Sequence, residues 1–248
     1  MNASYPSGRR AAAGRRTPRA NVLVVAPHPD DDAIGCGGTL ARLAARGAHI
    51  SVVYVTDGSA SHPNSRRFPP AVLRDVRENE ARAALRKLGV RTEPAFLRAP
   101  DSGLSQLGAA DRGRLAARIA ARITATHAGI VFAPWSRDPH PDHVVSAELT
   151  EAALALCARR PAVWYYHVWL PVRGNADEQP RPSEVRACDI VLNPGERARK
   201  RAAILAHRSQ TGVLVDDDPA GFVIDTELLA GWLGPVERFY RRMPVRSG

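Results

Sequence analysis

The chain has 248 residues, 44% of them hydrophobic, with 35 Lys and Arg against 25 Asp and Glu for a formal charge of +10. That is enough apolar material for a packed core in one large domain, and it excludes a wholly disordered chain. Three widely spaced cysteines (Cys36, Cys157 and Cys188) exclude a disulfide framework, and no apolar run approaches the ~20 residues of a membrane-spanning helix.

Residues 1–20 carry Arg9, Arg10, Arg15, Arg16 and Arg19 and no acid, and are expected to form a disordered basic tail. They do not read as an export signal, because the apolar run Val22 to Ala26 is shorter than an h-region of roughly 7–15 residues. A cytoplasmic protein is the expectation. Val22 to Ala26 itself has the β-branched pattern of a strand covered on both faces. A polar turn and a Gly-rich stretch (Gly35, Gly37, Gly38) lead into a helix marked by Leu40, Leu43 and Ala44. His49 to Thr56 is a second strand, followed by a polar loop from Asp57 to Pro70.

Val72, Val76, Ala83, Ala84 and Leu88 define a helix stopped by Gly89. Ala95 to Leu97 is a short strand, Leu115, Ile119 and Ile123 mark a helix, Gly129 to Ala133 a strand, and Val145 to Leu156 the helix after it. Beyond Pro161 the pattern loosens. Strands are expected at Val163–Leu170 and Asp189–Leu192 and a helix at Glu196–His207, with a Pro- and charge-rich loop from Pro171 to Arg186. From Glu237 onward, Arg238, Arg241, Arg242 and Arg246 form a second basic stretch. Lys occurs only at Lys87 and Lys200, so the basicity reads as an arginine-rich solvated skin rather than a nucleic-acid surface.

Alternating strands and helices predict an α/β fold: a doubly wound, mostly parallel sheet with helices on both faces and an irregular C-terminal third. Such sheets place their chemistry at the carboxyl ends of strands, and two of these ends are rich in ligand-type residues. The first strand runs into Pro27-His28-Pro29-Asp30-Asp31-Asp32. The strand ending at Pro134 is followed by Asp138, His140, Pro141, Asp142 and His143. Adjacent carboxylates repel unless a cation or strong donors compensate, and imidazole plus carboxylate ligands suit a borderline divalent ion, zinc above all. Either cluster alone reads as a polar turn. Two clusters in the same His-Pro-Asp order at two strand ends contain what a hydrolytic metal site needs: ligands, a base and an oxyanion donor.

His-Pro-Asp-Asp after strand one, with His-Pro-Asp-His after a later strand, resembles the PIG-L/LmbE family of zinc-dependent N-deacetylases. The resemblance covers most of residues 21–143. It includes Gly37-Gly38-Thr39, Thr56-Asp57-Gly58, Arg77-Glu78-Asn79-Glu80-Ala81 and Pro100-Asp101, with an echo at Ala206-His207-Arg208-Ser209-Gln210. It implies one Rossmann-like deacetylase domain over residues 21–248. It also implies Zn2+ bound by His28, Asp31 and His143, with Asp30 as general base. His140 would stabilise the oxyanion or protonate the leaving amine, and Asp142 would orient an imidazole. Arg77 and Asp101 would contact a small N-acetylated sugar conjugate. The family motif usually continues with Glu where this chain has Asp32.

Other features receive lesser roles. Cys36 reads as a small residue at a tight helix start, and Trp164, Tyr165, Tyr166 and Trp169 as strand-packing aromatics, with sugar stacking the alternative. His207 is a candidate to reach the site. Asp216, Asp217 and Asp218 read as a solvated loop. The loops Ser59–Pro70 and Pro171–Arg186 are long enough to shape a pocket, and Arg66 and Arg67 are open to meeting an anionic aglycone or to being simply solvated. The rival reading is a Rossmann-type nucleotide or S-adenosylmethionine enzyme, although Gly35-Cys36-Gly37-Gly38 departs from G-x-G-x-x-G.

Overall fold

A computed structural model describes residues 21–243; the expected basic tail over residues 1–20 lies outside the described residues. In chain order the elements are β1 (Asn21–Ala26), α1 (Asp31–Ala45), β2 (His49–Thr56), α2 (Pro70–Leu88), β3 (Ala95–Ala99), α3 (Ala109–Ala125), β4 (Ile130–Pro134) and α4 (Pro141–Ala155). The remainder comprises β5 (Ala162–Tyr166), α5 (Leu170–Arg173), β6 (Val185–Val191), α6 (Pro194–Ile204), α7 (Thr226–Trp232) and β7 (Val236–Arg242). Short 3-10 turns lie at Leu104–Gln106 and Arg208–Gln210.

The strands form one seven-stranded sheet in the order β3-β2-β1-β4-β5-β7-β6. β3, β2, β1, β4 and β5 run parallel, and β7 is antiparallel to both β5 and β6. Alternate residues of β1 face opposite layers. Val22, Val24 and Ala26 pack with Ile50, Val52, Tyr54 and residues of α1, α2 and α6. Leu23 and Val25 pack with Val53, Val55, Leu115, Ile119, Val145 and Leu149 on the α3 and α4 side. The unbroken apolar β1 run therefore reflects burial on both faces.

Chain order moves outward from β1 to β2 and β3, then returns to β4 on the other side of β1. That reversal makes the crevice between β1 and β4 the topological switch point, where open α/β sheets bind ligands.

Three parts of the C-terminal third depart from the sequence reading. The stretch from Glu237 belongs to strand β7, which was not expected: Glu237, Phe239 and Tyr240 are buried, while Val236 and the arginines Arg238, Arg241 and Arg242 are exposed. Glu237 and Phe239 share one face of this strand with the exposed Arg241, and Tyr240 shares the other with the exposed Arg238 and Arg242. Helix α7 was not expected. Asp216, Asp217 and Asp218 do not form a free loop but clamp the polar loop after β2. Asp217 accepts from the amides of Arg66 and Arg67 (both 2.9 Å) and from Ser65 Oγ (2.7 Å), and Asp218 accepts from the amide of Asn64 (2.8 Å). Arg67 also pairs with Asp216 across 2.5 Å, so neither arginine lines the cavity described below. Exposed backbone amides in a turn recruit carboxylates when the fold brings them close, a contact invisible to sequence spacing.

The Gly-rich stretch lies inside α1 and serves close packing. A Cβ on Gly35 would fall 2.2 Å from the Tyr166 ring, and one on Gly38 would fall 2.4 Å from Leu192. There is no phosphate-cradling loop at this point, so the dinucleotide-binding alternative loses its structural basis.

Candidate metal centre and active-site cavity

The site is built from the loops after β1 and β4. Pro27 O accepts from both the amide and the hydroxyl of Thr56 (2.9 Å each), which ties the exit of β1 to the end of β2. The chain then turns so that the Asp30 amide donates to His28 O (2.9 Å), and α1 starts at Asp31. Asp30 occupies the N-cap position, yet its side chain makes no capping bond. Its Oδ2 instead accepts from Arg77 Nη2 (3.0 Å), whose Nη1 donates to Gly58 O (2.9 Å). Gly58 has φ +68°, and a Cβ there would lie 3.0 Å from the Arg77 guanidinium, so glycine serves both the turn and the arginine's approach.

Asp31 Oδ2 sits between two imidazoles, 3.1 Å from His28 Nδ1 and 3.2 Å from His143 Nε2. It also accepts from the His28 amide (2.8 Å). His140 is the N-cap of α4, with Pro141 at the first helical position, and its Nδ1 accepts from the Asp142 amide (3.2 Å). The three rings surround a common point, with centroids 4.8 Å apart for His28–His140, 5.4 Å for His28–His143 and 5.2 Å for His140–His143. The sequence separation of 112 positions from Asp31 to His143 is thus bridged at the switch point.

Each imidazole has its own carboxylate environment. His28 Nε2 faces Asp101 Oδ1 (3.2 Å) and Asp142 Oδ2 (3.3 Å). Asp142 further accepts from the amides of Ser102 (2.7 Å) and Leu104 (3.1 Å), and Asp101 accepts from the Ala60 amide (2.9 Å). The imidazole that Asp142 touches is therefore His28. The carboxylate behind His143 is Asp138, with Oδ1 3.2 Å from Nδ1. Asp138 stood in the sequence cluster without a role, because spacing alone does not tell which acid of a loop turns toward which ring.

These environments set the charges. Burial opposes protonation of His143, but Asp31 and Asp138 outweigh it and raise its pKa to about 9. His28 is likewise raised, its desolvation overcome by Asp101, Asp142 and Asp31. Asp31, Asp101, Asp138 and Asp142 are all held below the usual carboxylate range, burial being outweighed by the imidazoles. Asp30 moves the other way: burial raises it, against the opposing pull of Arg77. His140 is lowered to about 4 by burial and by the neighbouring imidazoles, so it is neutral near pH 7. Asp32 points to the Tyr54 hydroxyl (3.0 Å), and burial lifts it to about 7.

Four buried acids around two cation-seeking imidazoles call for positive charge. A divalent ion can supply it by displacing the imidazole protons, since ligand histidines bind metals in the neutral form. His143 is fully buried, and neither of its ring nitrogens makes a well-aligned hydrogen bond despite the carboxylates at 3.2 Å. Ligand atoms around a tetrahedral zinc with bonds of ~2.0–2.1 Å lie roughly 3.3 Å from one another, close to the spacing of Asp31 Oδ2 from each of its two imidazoles, although Asp31 is in neither of the convergent sets that follow. The residues fit a metal. Ligand-type atoms of His28, His140 and His143 lie within 4.8 Å of one another, as do those of His28, Asp101 and Asp142.

The cluster opens into a cavity of about 450 Å³. Arg77 and Asp101 line it, together with Ser61, Trp169, Arg173, Gln210 and Phe222. The segment Ala206–Gln210 contributes Gln210, whose Nε2 donates to Ser61 Oγ (3.1 Å). His207 is fully buried behind the wall and does not line the cavity. Trp169 faces the cavity, whereas Tyr166 is a packing residue whose hydroxyl donates to Val25 O (2.9 Å).

Fold and site together define a doubly wound α/β protein with a His/Asp cluster able to hold a metal ion at its switch point. The chain belongs to the PIG-L family, described as GlcNAc-PI de-N-acetylase, which it matches over residues 23–154. It is 28% identical over 258 residues to a 1D-myo-inositol 2-acetamido-2-deoxy-alpha-D-glucopyranoside deacetylase of Mycobacteroides abscessus, covering 88% of this chain and 90% of that protein. A deacetylase of the same name from Kineococcus radiotolerans is 33% identical over 164 residues, covering 55% of this chain but only 45% of that relative. Among solved structures, N,N'-diacetylchitobiose deacetylase from Pyrococcus horikoshii shares the fold, with TM-score 0.66 and 22% identity over 90% of this chain and 83% of that one. Among the described residues, no helix is long and apolar enough to cross a membrane.

Proposed function

We propose that the protein is a zinc-dependent N-deacetylase that hydrolyses the acetamide of an N-acetylglucosamine conjugate to acetate and a free amine. His28, Asp31 and His143 are the residues assigned to the metal. The observation that carries this reading is the Asp31 carboxylate bracketed by His28 and His143, with Asp30 and His140 lining the same cavity. Its relatives' names add the substrate class, an acetamido sugar attached to inositol.

A divalent cation bound there would acidify a water molecule toward neutrality and polarise the acyl oxygen. Asp30, whose carboxylate is raised by burial yet kept ionisable by Arg77, takes the proton of the attacking water. His140 accepts at Nδ1 from the Asp142 amide, which leaves Nε2 as the protonated nitrogen. Because that ring is neutral near pH 7, it acts by donating an Nε2–H hydrogen bond to the developing oxyanion. The proton needed by the leaving amine then comes from Asp30, which has just received one. Arg77 and Asp101, which line the cavity, are assigned to contact with the sugar conjugate.

The test is acetate release from N-acetylglucosamine glycosides by metal-loaded protein. Activity should vanish on chelation and return with stoichiometric Zn2+. Protein that releases no acetate from any acetamido sugar in either state would defeat the reading.

A further inference from the structure

The sheet ends in two edge strands, β3 and β6, and they are finished differently. β3 carries the devices that blunt an edge. Its register against β2 shifts between Tyr54 and Thr56, and Arg118 donates to the carbonyls of Leu97 (2.9 Å) and Phe96 (3.4 Å). β6 has neither device. Its seven residues contain no proline and pair with β7 in one unbroken register, from Val185↔Arg242 to Val191↔Val236. Arg186, Ala187, Asp189 and Val191 are exposed, Val191 by 67%. The Asp189 charge is matched by Arg238 (2.6 and 2.7 Å), so the edge presents no unpaired acid.

The free edge of β6 can be followed group by group. The Leu192 amide donates to Pro235 O (2.8 Å) and Glu184 O accepts from the Met243 amide (2.9 Å), bonds that bracket the β6–β7 ladder. Even-numbered residues of β6 therefore bond to β7, and the backbone groups of odd-numbered ones point outward. Two of these outward groups are already engaged: the Val185 amide donates to Arg181 O (3.2 Å), and Val191 O accepts from Arg42. The Val185 carbonyl, both groups of Ala187 and Asp189, and the Val191 amide have no partner among the described residues.

These free groups are self-complementary. Two antiparallel copies of one strand are related by a two-fold axis normal to the sheet. With the axis at Cys188, all seven residues of β6 pair with the second copy: Val185 faces Val191, and Ala187 faces Asp189, as hydrogen-bonded pairs. Every free amide then meets a free carbonyl. The bond that is not made, from the Val185 amide to Val191 O, is the one whose donor and acceptor are both engaged within the chain. Sliding the copies by two residues either way sets an engaged group against a free one. The exposed Val191 side chain also comes to lie beside the buried Val185 of the second copy.

We propose that the β6 edge is a homodimer interface, in which two copies of this chain join their sheets through antiparallel β6 strands about a two-fold axis at Cys188. The interface is independent of the reaction assigned to the cavity.

The experiment uses the cysteine at the axis. Cys188 and its copy form a non-hydrogen-bonded pair with Cα atoms about 4.5 Å apart, within disulfide reach. Diamide oxidises two thiols to a disulfide and is itself reduced to the hydrazine. It should cross-link the full-length protein into a dimer through Cys188, equally well in Cys157→Ser and not at all in Cys188→Ser. Without oxidant, light scattering should show a dimer that dissociates on dilution. Ala187→Pro removes two of the intermolecular hydrogen bonds and spares the β6–β7 ladder, so it should raise the dimer Kd at least about tenfold. Val191→Glu, at a position exposed in the single chain, should also weaken the dimer by setting a charge against Val185. Both variants should keep the far-ultraviolet circular dichroism of the parent. A protein monomeric at every concentration, a cross-link at another cysteine, or a dimer unaffected by both variants would overturn the interface. Hydrogen exchange adds a further check. Protection of the Ala187, Asp189 and Val191 amides should rise with protein concentration; protection independent of concentration would place another segment of the same chain on this edge and overturn the proposal.

Discussion

Asp138 holds His143 from behind, with Oδ1 3.2 Å from Nδ1, while its Oδ2 accepts from the amides of Val168 (2.9 Å) and Trp169 (3.0 Å). A carboxylate in this position fixes the ring's orientation and raises the basicity of the opposite nitrogen, the one facing Asp31. Losing such a partner typically costs about 10–100-fold in metal affinity or activity. Asp138→Asn keeps the shape and one acceptor oxygen but removes the charge. It should weaken zinc binding within that range, read by competition with a chelator, with the far-ultraviolet circular dichroism spectrum unchanged. Zinc affinity equal to that of the unaltered protein would show that Asp138 serves only the backbone amides.

Asp30→Asn separates chemistry from metal binding. Asp30 is tied to Arg77 and not to an imidazole, so the variant should bind about one zinc per chain. General acid–base groups contribute roughly 10²–10⁴-fold, and a residue serving as both base and acid belongs at the upper end. A kcat reduced by about that factor with metal content intact is the expected result; near-normal kcat would remove Asp30 from the reaction.

Residues 21–160 are legible because each level of the sequence points the same way. The β1 run, its polar turn and the Asp-rich start of α1 share one local signal, and the second histidine motif repeats it at β4. Pairing depended on the switch point, which strand alternation predicts. What remained hidden was partner choice. Asp142, in the first turn of α4, and Asp138, four residues earlier in the loop before it, are close in sequence, yet one faces His28 and the other His143. In β7, the buried Glu237 looks like part of a basic tail until its partners are known. Likewise, the cavity wall from Trp169, Arg173 and Phe222 joins segments about 50 residues apart that have no periodicity in common.

Glu237 supplies the third prediction. Its Oε1 lies 2.9 Å from Lys200 Nζ, and the two carboxylate oxygens accept from the amides of Gly38 (2.8 Å) and Thr39 (2.7 Å) in α1. Both side chains are buried, so removing one partner strands the other's charge away from water. Breaking a buried pair costs about 3–5 kcal/mol. Lys200→Met should destabilise by that order in urea titration. The double variant Lys200→Met/Glu237→Gln should be less unstable than the sum of the two single changes, because no unpaired charge remains. Strict additivity would contradict a direct ion pair.

The last prediction concerns acid. His207 is fully buried, and burial, aided by Arg77, lowers its pKa to about 3 against an ordinary 6.5. The folded chain therefore keeps this ring neutral while the unfolded chain takes up a proton below pH 6.5. Stability from this group is fully present above 6.5 and is lost as pH falls toward 3. Between pH 7 and pH 5 the loss is about 2 kcal/mol. His28 and His143 act in the opposite sense in metal-free protein, since their raised pKa values favour the folded state at low pH. The comparison must therefore be between variants at each pH, with zinc bound. His207→Gln should flatten the acid limb of the stability curve by about that amount, measured by urea unfolding at pH 7 and pH 5. An acid limb as steep in the variant as in the parent would mean that the loss arises at other groups, His28 and His143 first among them.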